Sequence, residues 1–367
     1  PSGGAFGRRS TNEKHQRRAG SAARPFRCAA TVHYPYAMRV AVFSSKPYDE
    51  QYLGVAAAGS PHKLDFFEPS LNGDVVKLAA DHEAVCVFVH DEVNGNVLRE
   101  LAEHGVRLVA LRAAGFNNVD LDVAKEVGIK VCRVPAYSPY AVAEHAVALI
   151  LSLLRRTPRA YNRVRDGNFA LDGLLGYDVN GKCVGVVGTG RIGTVFAGIM
   201  KGFGCRLLAY DPYPNEDMKK LGAKYVELRE LFEQADIIAL HAPLTSETHH
   251  LVNAATLSVV KPGVMVVNTS RGGLIDTEAA IDALKDGRLG YLGLDVYEEE
   301  HAVGFFEDQS ASIIQDDTFA RLLTFPNVLI TAHQAFFTAE ALQNIAETTM
   351  ANLTAFEETG TPVHEVA

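Results

Sequence analysis

The chain has 367 residues, 47% hydrophobic and 22% charged, which is more than one compact core usually holds and points to two domains. No uninterrupted apolar segment approaches the roughly 18 residues of a membrane span, which argues against an integral membrane protein. The net charge of −9 conceals an asymmetry: residues 1–37 hold seven Lys/Arg and one acid of the chain's 35 and 44, leaving 28 basic groups against 43 acids, too acidic a body for a nucleic-acid binder.

Residues 1–37 are rich in Arg, Ala, Ser and Gly and show no periodic apolar face. They read as a disordered transit peptide, the FRCAA segment resembling a plastid processing site more than a secretory one, with a plastid expected ahead of a mitochondrion as the compartment. The alternative is a basic tail ahead of a working start at Met38 and a cytoplasmic protein.

From Arg39 the pattern becomes globular. Apolar runs at 39–43, 63–67, 84–89, 106–111 and 130–134 read as strands, with helices expected over 97–104 and 119–127 and no firm reading for the Gly/Ala-rich part of 50–83. Alternating strands and helices imply a parallel sheet with crossover helices. Residues 140–156 form a long, nearly all-round apolar helix, expected to lie buried between domains as a linker. His145 within it reads as a packed interior histidine rather than a ligand.

Residues 184–200 run from an apolar strand through Gly188, Gly190 and Gly193 into a helical pattern. That G-x-G-x-x-G spacing suits a tight turn, a close backbone approach to a pyrophosphate, and helix packed on strand. The next apolar run, 206–210, ends in Asp211, placed to accept ribose hydroxyls. Further strands are expected at 235–240, 264–268, 293–296 and 328–331, with helices over 277–287 and 339–358 and a long loop over 301–320. Each strand ends in a polar loop, and in a doubly wound sheet such loops share the ligand-binding edge. The cysteines (Cys28, Cys86, Cys132, Cys183, Cys205) lack metal-ligand spacing and read as buried free thiols, and no metal site is expected.

Three polar residues follow late strands: Arg271, Glu300 and His333. In one crevice they would serve hydride transfer to a 2-keto acid, an arginine fork holding the carboxylate and a carboxylate-partnered imidazole donating the proton. Taken singly, Arg271 also reads as a helix-flanking cation, Glu300 as one of three solvated acids and His333 as a capping or core histidine.

The motifs GVVGTGRIG, YDPYP, HAPLT, VNTSRGGLID, GLDVYEEE and ITAHQAFFTAEAL, in this order and spacing, resemble the D-isomer-specific 2-hydroxyacid dehydrogenase family from about Met38 to the C-terminus. RAAGFNNVDLD, RVPAYSP and FFEDQSASIIQDD narrow the resemblance to fermentative D-lactate dehydrogenases. It implies an α/β protein of two doubly wound parallel sheets. A Rossmann NAD-binding domain (139–334) is inserted in a flavodoxin-like catalytic domain (38–138 plus 335–367). It also implies Arg271 as substrate-orienting arginine, Glu300 as partner of the proton donor His333, the Ala114 and Gly115 amides as carboxylate holders and Tyr137 at the substrate pocket. For NAD it implies Gly188, Gly190, Arg191, Ile192 and Gly193 at the pyrophosphate turn, Asp211 on the ribose, Ala242 and Pro243 beside adenine, Asp295 near the nicotinamide amide, and Ser270 as a further cofactor-binding residue. The expected reaction is reversible reduction of pyruvate to D-lactate by a homodimer or higher homo-oligomer. The alternatives are a glyoxylate or hydroxypyruvate reductase and a dinucleotide-sensing corepressor on the same scaffold.

Overall fold

The computed structural model describes residues 38–366, so the expected transit peptide and its Cys28 lie outside the described residues. Among the described residues no helix is long and apolar enough to cross a membrane.

Two all-parallel sheets organise the chain. The first comprises β1 (Arg39–Val42), β2 (Lys63–Phe66), β3 (Ala84–Val87), β4 (Leu108–Leu111) and β5 (Lys130–Cys132), in the order β2-β1-β3-β4-β5. The second comprises β6 (Cys183–Val187), β7 (Arg206–Tyr210), β8 (Lys224–Tyr225), β9 (Ile237–Leu240), β10 (Val264–Asn268), β11 (Leu289–Leu294) and β12 (Val328–Ile330), in the order β12-β11-β10-β9-β6-β7-β8. Helices cover both faces, which is why β3, β4, β6, β9 and β10 are buried at every position and read as unbroken apolar runs rather than alternating ones.

Helix ends follow local chemistry. Ser138 caps the helix Pro139–Arg155, whose first residue is the proline that tolerates the N1 position, and Asp276 caps Thr277–Asp286, which Gly287 ends in a left-handed turn. The helix over 119–127 starts later than expected, at Leu121, because Asp120 takes the capping position with its side chain accepting the Val123 amide.

Three expectations need correction. Pro139–Arg155 connects β5 to the second half, but it buries Ala146, Leu149, Ile150 and Leu153 in one core with Phe196 and Met200 of the helix Arg191–Gly202, on one face of the second sheet, and its Tyr140 is exposed. The long loop contains two short helices, Glu300–Val303 and Asp317–Leu323, the latter capped by Asp316. β11 begins at Leu289, earlier than residue 293, its register shifting against β10 where Gly290 lies close to the Gly263 carbonyl. The last helix, Ala339–Thr359, returns to the first sheet and packs on the helix Pro47–Ala57, its Asn352 side chain donating to the Arg133 carbonyl.

Candidate active site

Each sheet reverses strand order once, between β1 and β3 in the first and between β6 and β9 in the second, and ligand crevices open at such points beyond the strand ends. At the second switch point Gly188 has φ 91° and a Cβ there would meet the Ala242 nitrogen at 2.6 Å, while a Cβ on Gly193 would lie 2.1 Å from the Gly188 carbonyl oxygen. Turn and helix are therefore packed as closely as the spacing requires. Nothing of the protein lies within 4 Å of a Cβ built on Gly190, so its side is open at the head of the helix whose first residues are Arg191 and Ile192. Beside it a groove of about 740 Å³ is lined by Gly188, Asp211, Ala242, Pro243, Leu228 and His249, among others. Asp211 is held there by the Thr189 amide (2.7 Å), the Thr189 hydroxyl (3.1 Å) and the Tyr213 amide (2.8 Å). An open backbone turn at a helix N-terminus, an anchored acid and a long groove fit a dinucleotide.

A second, smaller cavity of about 120 Å³ lies between the two rows of strand ends. Phe88, Ala114, Gly115 and Tyr137 line it from the first sheet and Ile192, Ser270, Arg271, Asp295 and His333 from the second, with Phe336 at the start of the returning segment. Arg271 lies against the 114–115 loop so closely that a Cβ on Gly115 would sit 1.9 Å from Nη2. The loop is steadied by Arg133, which donates to the Ala114 carbonyl at 2.8 Å, and Arg271 itself donates to the Ser270 carbonyl at 2.7 Å. His333 donates through Nδ1 to Glu300 Oε1 at 3.0 Å, which leaves its other nitrogen free on a ring that faces the cavity. Glu300 stands behind the imidazole and does not line the cavity.

Asp295 is fully buried and does more than line the wall. Its carboxylate accepts the Gln334 and Ala335 amides (2.9 and 2.8 Å) and the Thr331 hydroxyl (2.6 Å), and its carbonyl accepts the His333 amide (2.6 Å), so it shapes the turn that presents the imidazole. His145 belongs to this network: its Nε2 lies 3.0 Å from Thr331 Oγ1 and 3.3 Å from Asp295 Oδ1, so it braces the site rather than merely filling a core. The Ser270 hydroxyl donates to the Ala242 carbonyl at 2.6 Å, joining groove and cavity.

Burial holds the Tyr137 phenol above its ordinary value, with the Arg271 charge pulling the other way, so it stays neutral at the cavity wall. Burial pushes the His241 imidazole, beside the glycine turn, down to about 4, which keeps it uncharged next to the groove. The Cys86 and Cys205 thiols are pushed up to about 11 by burial, too high for a nucleophile. His249, His250 and Glu298 come together outside the cavity, but His250 is bonded to one Glu298 oxygen and Thr277 to the other, so both carboxylate oxygens already have partners.

Sequence reasoning did not single out Phe88, Arg112 or Phe336 as cavity residues. Arg112 offered a signal, a charge directly after an apolar strand. It is 2% exposed and paired with Asp49 at 3.0 Å. Phe88 and Phe336 read as ordinary apolar positions in runs of their kind.

A dinucleotide groove beside a small cavity that joins an arginine to a carboxylate-backed imidazole defines a two-sheet, nicotinamide-dependent oxidoreductase. Residues 147–335 match the NAD-binding domain of the D-isomer-specific 2-hydroxyacid dehydrogenases. The chain is 53% identical over 329 residues to the D-lactate dehydrogenase of Escherichia coli, spanning 90% of this chain and all of that one, and the apo-structure of that enzyme superposes with a TM-score of 0.82. The structure described as the pyruvate reductase of Chlamydomonas reinhardtii matches at 44% identity and TM-score 0.84 over 89% of this chain and 98% of that one. The Aquifex aeolicus D-lactate dehydrogenase complexed with NAD and lactic acid matches at 34% and 0.78 over 88% and 98%. The protein belongs to the D-isomer-specific 2-hydroxyacid dehydrogenase family and is an NAD-dependent enzyme.

Proposed function

We propose that the protein catalyses the reversible reduction of pyruvate to D-lactate with NADH, a reading in line with the names D-lactate dehydrogenase and pyruvate reductase that its relatives carry. The observation that carries this reading is the cavity of about 120 Å³, well below the roughly 300–1,000 Å³ of sites for drug-sized ligands, with Arg271 against Gly115 on one side and the His333 ring on another. Such a space suits a three-carbon keto acid.

The substrate carboxylate is held by the Arg271 fork and the Ala114 and Gly115 amides, which turns the keto group toward His333. When bound, NADH supplies the hydride that the keto carbon accepts. His333 gives the proton from Nε2 to the keto oxygen, and Glu300, bonded to Nδ1, fixes the ring. Phe88, Tyr137 and Phe336 exclude water and leave the methyl group an apolar wall. Gly188, Gly190, Arg191, Ile192 and Gly193 hold the pyrophosphate, Asp211 the adenosine ribose, Ala242 and Pro243 the adenine side, and Ser270 and Asp295 the nicotinamide end. Residues 38–138 and 335–367 form the catalytic domain and 139–334 the nucleotide domain. Steady-state rates on a panel of 2-keto acids with NADH test the reading, and a preference for glyoxylate or hydroxypyruvate would replace it.

Two further readings rest on other observations. Tyr161, Val164, Phe169, Leu171 and Leu175 are exposed along one segment, an apolar stretch that supports a homodimer, which light scattering after size exclusion tests. The basic, acid-poor composition of residues 1–37 supports import into an organelle, a plastid rather than a mitochondrion, with fermentation of pyruvate there as the role.

A further inference from the structure

The segment that follows Glu300–Val303 does not itself line the substrate cavity, and it crosses from the second half of the molecule to the first. Gly304 ends that short helix in a left-handed turn, the Glu307 amide donates to the Gly304 carbonyl, and the chain reverses so that the Phe306 ring points inward. Its centroid lies 5.6 Å from that of His333, 5.1 Å from that of His90 in a stacked contact, and 5.4 Å from that of Phe88 edge-on. The next residue, Glu307, pairs with Lys46 at 2.8 Å, in the loop after β1. Phe306 thus touches the imidazole and two residues of the first sheet's loops at once.

The backbone marks the same place. Among the described residues six non-glycine residues have positive φ, and two of them, Phe306 (73°) and His333 (50°), are in ring contact. A bulky residue is held in the left-handed region only where its surroundings over-determine it, and such residues gather at functional sites. A loop that merely spanned the gap would be relieved by a glycine here. The sequence keeps a phenylalanine, with a glycine two positions earlier to make the turn.

We infer that Phe306 is a positioning residue: its ring closes the back of the imidazole, so that with Glu300 on Nδ1 only one orientation of His333 remains, the one that presents Nε2 to the substrate. The inference rests on the reading of His333 as proton donor. Because Phe306 also leans on Phe88 and His90, the imidazole is fully braced only when the two halves are together, which ties closure of the cavity to readiness of the acid.

The test uses the full chain with Phe306→Ala, Phe306→Leu and Phe306→Tyr. Turnover of pyruvate in the Ala variant should fall about 10- to 10²-fold, the loss typical of a misplaced catalytic group, with little change in pyruvate KM, in NADH affinity by fluorescence titration or in Tm. The solvent deuterium isotope effect on kcat should rise as proton delivery becomes limiting. In the protein without NADH, diethyl pyrocarbonate should modify the His333 peptide faster, read by mass spectrometry. Leu should resemble Ala, since it lacks the flat face, and Tyr should recover most of the rate. A kcat within twofold of the parent with unchanged His333 reactivity would overturn the inference, as would a loss that merely follows weaker NADH binding or a lower Tm. His333→Ala, measured alongside, separates the two claims: if it retains turnover the proton-donor reading fails, and if it is inactive while Phe306→Ala is normal only the positioning role fails.

Discussion

Arg271, Glu300 and His333 divide the work of the site, and their geometry makes distinct predictions for each. Removing the imidazole in His333→Ala should cost kcat at least the roughly 10²–10⁴-fold of a lost general acid, while Glu300→Gln, which keeps a partner on Nδ1 but loses the charge, should lie between that variant and the parent. Pyruvate turnover with both variants checks the order, and near-normal turnover in His333→Ala would remove the proton donor from the account. Gly115→Ala probes the carboxylate end. The new Cβ would overlap Arg271 Nη2, the far end of a flexible side chain, so the fold should survive while the fork is pushed away. Pyruvate KM is expected to rise about tenfold or more, the price of one displaced charge-assisted bond, with NADH affinity unchanged. Asp211 should favour NADH over NADPH by repelling a 2′-phosphate, and Asp211→Ala should narrow the ratio of kcat/KM between the two cofactors. Equal efficiencies in the parent enzyme would refute that role.

At the scale of the elements, the loops that carry these residues depend on buried polar anchors. Asp91, 1% exposed, accepts the Leu71 and Phe88 amides and the Ser44 hydroxyl, each at 2.6 Å, and so ties together the loops after β1, β2 and β3. Arg112 donates to Asp49 and to the Ser44 carbonyl beneath the cavity. Asp49→Ala would remove the carboxylate bonded to a buried guanidinium and should destabilise the protein by about 3–5 kcal/mol, read from denaturant midpoints. Much of this level is legible in the sequence. The apolar runs of parallel strands, the capping serine and aspartates, and the glycine turn state their structure locally, so Arg271, Asp211 and the Gly188 turn fall at strand ends as read. Contacts between distant segments are not legible in that way. His145 sits in an apolar helix and its partner Thr331 is 186 positions away, Asp91 resembles any loop acid, and Phe306 sits in a stretch that reads as loop because its helices are too short for periodicity to register.

For the whole molecule, the chain's order of use explains why the glycine motif lies mid-sequence. A first sheet is built, a second follows through Pro139–Arg155, and Ala339–Thr359 returns to close on the first, after which Glu365 pairs with Cys132 in a final antiparallel bridge. A version beginning at Met38 keeps all of these elements and should retain both Tm and activity. The full chain fused to a fluorescent protein should accumulate in plastids. A cytosolic fusion would contradict the targeting role proposed for residues 1–37.

The central claim concerns a reaction and its stereochemistry, and one assay addresses both. Purified protein is incubated with NADH and, in parallel, pyruvate, glyoxylate, hydroxypyruvate and a bulkier 2-keto acid. kcat/KM is measured for each, and the lactate formed from pyruvate is resolved by chiral chromatography. The account predicts the highest kcat/KM with pyruvate and D-lactate as the product. L-lactate, or a clear preference for another 2-keto acid, would contradict it.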